Sequence, residues 1–239
     1  MNKTAATLAS AALAMFLSAG AARAADSFSE TALKGPVLVI GDSLMRTPGR
    51  ALEKLLKKEK ISSTVFTSLG SGLARIDAFD WFAKIDDLMK TTAPSLVVMT
   101  MGANDNQSIS NDGGFFQVGT PEWTAEYSQR IGKMMDKASG DDGKTPVLWI
   151  LLPPMKEDSL HKHALAVNVI VEKEAKSRKN IVLYDPMPDI TPKSPKKFVA
   201  YAMSATGQMQ DIRSDDSHFS ATGGDLMAKA IMRRFWNKK

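Results

Sequence analysis

Short, near-continuous apolar runs punctuate the chain at 36–40, 63–69, 95–101, 146–152 and 180–184, and longer stretches of mixed polarity separate them. Runs so short and so rich in Val, Ile and Leu suit strands of a parallel sheet covered on both faces. The stretches between them carry helical spacing. Leu52, Leu55 and Leu56 repeat with Lys and Glu filling the other positions, and Trp123, Tyr127, Ile131, Met134 and Ala138 follow Thr120-Pro121, a cap and first-turn pair. A further helix is predicted over 160–176, and the last uses Leu226, Met227, Ala230, Ile231 and Phe235 as its buried stripe. Strand and helix thus alternate about five times, which predicts an α/β fold with helices on both faces of a parallel sheet. Ligands of such sheets bind beyond the carboxyl ends of the strands, so chemistry is expected just after each apolar run. Two stretches break the alternation and are predicted as long loops: 107–119, with Asn111-Asp112-Gly113-Gly114, and 186–212, with Pro186, Pro188, Pro192, Pro195, Lys193, Lys196 and Lys197.

The chain's first residues follow a different pattern. Lys3, an alanine-rich apolar run through Leu17, and Ala22-Arg23-Ala24 together predict an export leader over 1–24, cleaved before Ala25. Thr7 and Ser10 interrupt the run, which falls short of the roughly 20 residues a membrane span needs. The remaining 25–239 suits one α/β domain, with no repeat or linker to divide it. The formal charge of +5 less Lys3 and Arg23 is +3, scattered on helix faces such as Lys54, Lys57 and Lys58 without interleaved aromatics. A nucleic-acid partner is therefore not expected. The chain has no cysteine, which excludes a thiol nucleophile and fits a bacterial periplasmic or secreted protein held by its core alone.

Four clusters carry candidate chemistry. Gly41-Asp42-Ser43-Leu44 follows the first run and precedes a helix, a turn that exposes a serine hydroxyl at the carboxyl edge of a sheet, although Asp42 or Ser43 could simply cap that helix. Gly102-Ala103-Asn104-Asp105 ends the third run, and Asn104 supplies an amide donor suited to a developing oxyanion. Asp215-Asp216-Ser217-His218 precedes the last helix. There a carboxylate three positions before the histidine can orient its ring, which favours Asp215 over Asp216 as the partner. Ser68-Leu69-Gly70-Ser71-Gly72 offers a side-chain-free amide for a substrate oxygen, Gly70 first and Gly72 behind it. Possible substrate contacts are Arg46, Gly72, and a platform of Trp81, Phe115 and Phe116. His161 and His163, two apart on a helix, do not share a face and are expected to be solvated or lightly packed.

Taken in order, these clusters resemble the four blocks of the SGNH, or GDSL-type, hydrolase superfamily over nearly the whole mature chain. The second block departs from the pattern, so the oxyanion glycine stays open between Gly70 and Gly72. The runs Ser71-Gly72-Leu73-Ala74-Arg75 and Phe79-Asp80-Trp81 are most similar to a poorly characterised periplasmic bacterial branch. The resemblance implies a three-layer α/β/α sandwich around a mostly parallel sheet of about five strands. It also implies Ser43 as nucleophile, His218 as base, Asp215 as its orienter, and Ser43, Gly70 and Asn104 as oxyanion donors, with no metal or cofactor needed. The expected activity is serine-dependent hydrolysis of an acyl ester, with export and the lack of a long apolar lid pointing to a small O-acyl group on an envelope carbohydrate. Acyl transfer to a sugar hydroxyl by the same residues, or a non-catalytic glycan-binding or assembly role, are the alternatives.

Overall fold

The computed structural model describes residues 28–204 and 206–236; the leader and cleavage site expected from the sequence lie outside them. A short helix α1 (Glu30–Lys34), capped by the Ser29 hydroxyl, leads into β1 (Val37–Gly41) and then α2 (Ser43–Lys58). The chain continues through β2 (Ser63–Thr67), α3 (Trp81–Thr92) and β3 (Leu96–Thr100) to a small hairpin of β4 (Ile109–Asn111) and β5 (Gly114–Phe116). After α4 (Pro121–Ala138) come β6 (Val147–Ile150), α5 (Asp158–Ala175), β7 (Ile181–Tyr184) and a single turn α6 (Met187–Ile190). A second hairpin of β8 (Tyr201–Met203) and β9 (Met209–Asp211) precedes α7 (Ala221–Ile231), which runs on as a π-helical turn over Met232–Trp236.

The main sheet has five parallel strands in the order β2-β1-β3-β6-β7. Strand side chains alternate between its faces. Leu38, Ile40, Val97, Met99, Val147 and Trp149 enter one apolar layer with Ile85 of α3, Ile131 of α4 and Val167 of α5. Val37, Val39, Val98, Leu148 and Ile150 enter the other with Leu52 of α2 and Met227 of α7. This is the expected three-layer α/β/α sandwich, and burial on both faces explains why the central runs are almost wholly apolar. Burying each such aliphatic side chain contributes about 1.5–3 kcal/mol, so truncating Leu38 or Ile40 to Ala should cost about 2–5 kcal/mol. At the sheet's edge β2 is only half buried, which accounts for its Ser and Thr content.

Both predicted loops contain structure. In 107–119, Ile109 is fully buried and Asn111 pairs with Gly114 across β4 and β5, while the Asn111 side chain accepts the Gly113 N–H at 2.8 Å to close the turn. Within 186–212, α6 packs Met187 and Ile190 into the core, and β8–β9 aligns Met203 with Met209. No helix among the described residues is long and apolar enough to cross a membrane.

Candidate active site

The crossovers set the location. Helix α2 covers one face of the sheet and α3 the other, so their paths diverge between neighbouring strands β1 and β3, and a crevice opens at the carboxyl edge there. Ser43 stands on one side of it, as the first residue of α2. Its turn is held by Asp42, which is fully buried and caps α2: one carboxylate oxygen accepts the Leu44 N–H at 2.9 Å. The other accepts the N–H groups of Gly102 and Ala103, at 3.1 and 3.2 Å. Asp42 thus joins the serine turn to the loop after β3. Gly41 is required beside it, because a Cβ there would stand 2.4 Å from the Thr100 carbonyl oxygen. Burial pushes the Asp42 carboxyl up to about 7, even though the amide bonds pull the other way.

The turn before α7 brings His218 to Ser43. The His218 Nε2 lies 2.8 Å from Ser43 Oγ, and its Nδ1 lies 2.8 Å from one oxygen of Asp215. The second Asp215 oxygen accepts the N–H groups of Ser217 and His218, at 2.8 and 2.7 Å. Desolvation alone raises the Asp215 carboxyl, but those two amides and the imidazole outweigh it and hold it below the ordinary carboxylate range. Asp216 turns elsewhere, pairing with Lys156 at 2.9 Å. Behind the turn, the buried Arg213 donates to the carbonyls of Ser217 (2.7 Å) and Pro154 (3.1 Å) and stacks over Phe219. Burial lowers its guanidinium to about 10, which leaves it charged at neutral pH.

The loops after β2 and β3 complete the crevice. Gly70 has φ +68°, a left-handed conformation that favours glycine, and it borders the space around Ser43 together with Asn104. The Asn104 Nδ2 donates one hydrogen to the Ser71 carbonyl at 2.9 Å, which leaves its second for another acceptor. Two adjoining cavities share Ser43, Gly70, Asn104 and His218. One, of about 320 Å³, is lined further by Leu44, Ala103, Met155 and Leu160; the other, of about 560 Å³, by Arg46, Thr47, Leu69 and Ser214. A larger depression of about 690 Å³ lies at the opposite end of the sheet, near Pro94 and Thr145, and neither serine nor histidine lines it.

Several proposed substrate contacts sit elsewhere. Gly72 makes room for protein rather than substrate, since a Cβ there would meet an Asp105 carboxylate oxygen at 2.1 Å. Trp81 is fully buried with its Nε1–H bonded to Ser71 Oγ at 2.9 Å, so it props the loop from beneath and cannot form a platform. Phe116 packs against the core and Phe115 is 72% exposed on its hairpin, and neither lines the two cavities. Arg46 does line the wider one.

The sequence reading missed a buried clamp from α4. Asp105 accepts the N–H groups of Leu73 (2.9 Å) and Ala74 (2.8 Å) and the Tyr127 hydroxyl (2.6 Å), while Arg130 donates to the Leu73 and Ala74 carbonyls at 2.8 and 3.1 Å. His163, expected to be solvated or lightly packed, is buried and donates from Nε2 to the Gly102 carbonyl at 3.0 Å. Burial lowers its pKa, which favours the neutral ring. The visible signal was a buried-stripe tyrosine followed three positions later by an arginine, a pair that a core tolerates only with partners. No group of three or more His, Asp or Glu able to hold a metal ion occurs among the described residues.

A parallel sheet in this order, with these loops along its carboxyl edge, is the SGNH, or GDSL-type, hydrolase fold. Solved structures sharing it include a lipolytic G-D-S-L family protein from Veillonella parvula, at TM-score 0.58 and 18% identity over 86% of this chain and 100% of that one. A carbohydrate acetylesterase from Sinorhizobium meliloti aligns at TM-score 0.54 and 15% identity, over 83% of this chain and 96% of that one. An aryl esterase from M. smegmatis aligns at TM-score 0.54 and 14% identity, over 84% and 97%. Within this fold the chain belongs to the family described as "Protein of unknown function (DUF459)", whose model matches residues 36–234. Comparison with the curated proteins gives no match.

Proposed function

We propose that the protein is a serine esterase that removes a small O-acyl group from a carbohydrate of the bacterial envelope. The observation that carries this reading is the continuous relay from Ser43 Oγ through both ring nitrogens of His218 to Asp215, with 2.8 Å at each step. A carboxylate on Nδ1 fixes the tautomer that leaves Nε2 free as a base. His218 takes the Ser43 proton as Oγ attacks the ester carbonyl, and Asp215 stabilises the imidazolium. The carbonyl oxygen becomes an alkoxide facing the Ser43 and Gly70 amides and the remaining hydrogen of Asn104, each donor worth about 3 kcal/mol. Collapse expels the alcohol, which takes the proton from His218. Water, deprotonated by the same base, then releases the acid and frees Ser43.

The cavity of about 320 Å³ lined by Leu44, Met155 and Leu160 suits a short acyl chain. The neighbouring carbohydrate acetylesterase fold supports a sugar as the alcohol, and the leader pattern with its lack of cysteine supports the periplasm. The His218 side chain is 41% exposed, so water reaches the base and hydrolysis is favoured over transfer to a second sugar. A serine-reactive phosphonate tests the reading: an intact-mass adduct is expected on the wild type and not on Ser43→Ala. A folded wild type that never labels would instead indicate a glycan-binding or assembly role.

A further inference from the structure

The two cavities that meet at Ser43 differ in lining, and the difference carries information about the alcohol. Both mix apolar and polar walls, Leu44 and Met155 with Asn106 and Gln107 in the narrower and Leu69 and Phe219 with Thr47 and Ser214 in the wider, and they differ in charge, because Arg46 borders the wider one alone. Arg46 lies three residues beyond Ser43 on α2, one turn along the same face, with about 5–6 Å between Cβ atoms. Its guanidinium is exposed and holds no carboxylate, carbonyl or ring among the described residues. The other arginines of the fold are engaged. Arg50, Arg75, Arg130, Arg178 and Arg233 each pair with an acid, Arg213 holds two carbonyls, and Arg234 lies over the Tyr184 ring. Asp215 also borders the wider cavity, but its oxygens are taken up by two backbone amides and by His218.

We infer that the alcohol portion of the substrate is an anionic sugar, whose carboxylate or phosphate is held by Arg46 in the wider cavity while the acyl group fills the narrower one. A guanidinium presents its donors as a planar fork that matches both oxyanions, which an ammonium does not. Arg46 is a specificity residue in this assignment. It fixes the alcohol and takes no part in the proton transfers. The inference rests on the esterase reading above.

The test compares matched pairs that differ only in charge. One pair is an O-acetylated oligogalacturonate and its methyl-esterified form; the other is an O-acetylated sugar phosphate and the same acetylated sugar without phosphate. The wild type should favour the charged member of at least one pair by about tenfold in kcat/KM at low salt, equivalent to about 1.4 kcal/mol. The preferred pair identifies the anion. High salt should move the ratio toward one, because the guanidinium is exposed to screening. Arg46→Gln should bring it within about twofold, and Arg46→Lys should restore it only in part. Equal rates on both members of both pairs, or a preference that survives in Arg46→Gln, would overturn the inference and leave the esterase standing. Acetyl release from none of the four compounds, without a phosphonate adduct on Ser43, would overturn the esterase reading and this inference with it.

Discussion

The two walls of the crevice are built differently. On the oxyanion wall the polar groups behind the surface are buried and multiply bonded: Asp42 and Asp105 each accept three hydrogen bonds, and Arg130 is 5% exposed. On the base wall His218 and Asp215 occupy an outward turn with side chains 41% and 53% exposed, braced from behind by Arg213. The chemistry proposed for each wall explains the contrast. Oxyanion donors stabilise charge only if they are already aimed at it, and a rigid, water-poor setting makes them effective. A base that must hand protons to a leaving alcohol and take them from water needs solvent beside it.

The base wall can be broken with least damage to the fold, and the effect there should be largest. Asp215→Asn keeps the shape of the turn but loses the acceptor that selects the His218 tautomer, so kcat should fall by about 10³–10⁴-fold with folding retained. Asp216→Asn removes only an exposed ion pair with Lys156 and should leave kcat within a few-fold of wild type. Steady-state kinetics on an acetyl ester decides between them. A larger loss from Asp216→Asn would mean that the orienting carboxylate has been misassigned.

The same contrast governs what could be read from the sequence. The central strands were legible because both faces are buried, which leaves almost no polar residue to confuse the pattern. The turns carrying Ser43, Asn104 and His218 were legible because each directly follows a strand or precedes a helix. The hairpins were not: three residues on each side give alternation too little length to register, and only Asn111-Asp112-Gly113-Gly114 hinted at a turn. Trp81 was misplaced because closeness in sequence to a functional loop says nothing about which side of the loop an aromatic occupies. The α4 clamp was hidden since Tyr127 fits an apolar stripe, and its hydroxyl finds Asp105, 22 positions earlier, only once the chain between them has folded.

That clamp provides an intermediate effect on the oxyanion wall. Tyr127→Phe preserves the ring stacked on Trp123 at 4.6 Å and removes only the hydroxyl bound to Asp105. A buried acceptor left short of one partner should cost about 1–3 kcal/mol of stability. Slackening of 71–74 should lower kcat by about tenfold with KM nearly unchanged, because the loop is proposed to act on the transition state rather than on the bound ester. Thermal unfolding measures the first quantity and kinetics the second. Equal kcat for wild type and variant would confine Tyr127 to a structural role.

The last effect falls on stability rather than on rate and is one of pH. Asp42 is raised to about 7 in the native state by burial, against an unfolded value near 3.9. Between those values the folded chain binds the proton more tightly than the unfolded one, so this group's contribution to stability is complete below pH 4 and is lost as pH rises toward 7. Asp42→Asn cannot ionise, and its cost from disturbed bonds to Leu44, Gly102 and Ala103 does not vary with pH. The variant should therefore melt below wild type at pH 4, and the gap should narrow by several degrees on going to pH 7.5. Other titrating groups cancel in this difference, because both proteins carry them. A gap that is constant or widens with pH would mean that Asp42 is ionised in the folded protein and that its three amide donors outweigh its burial.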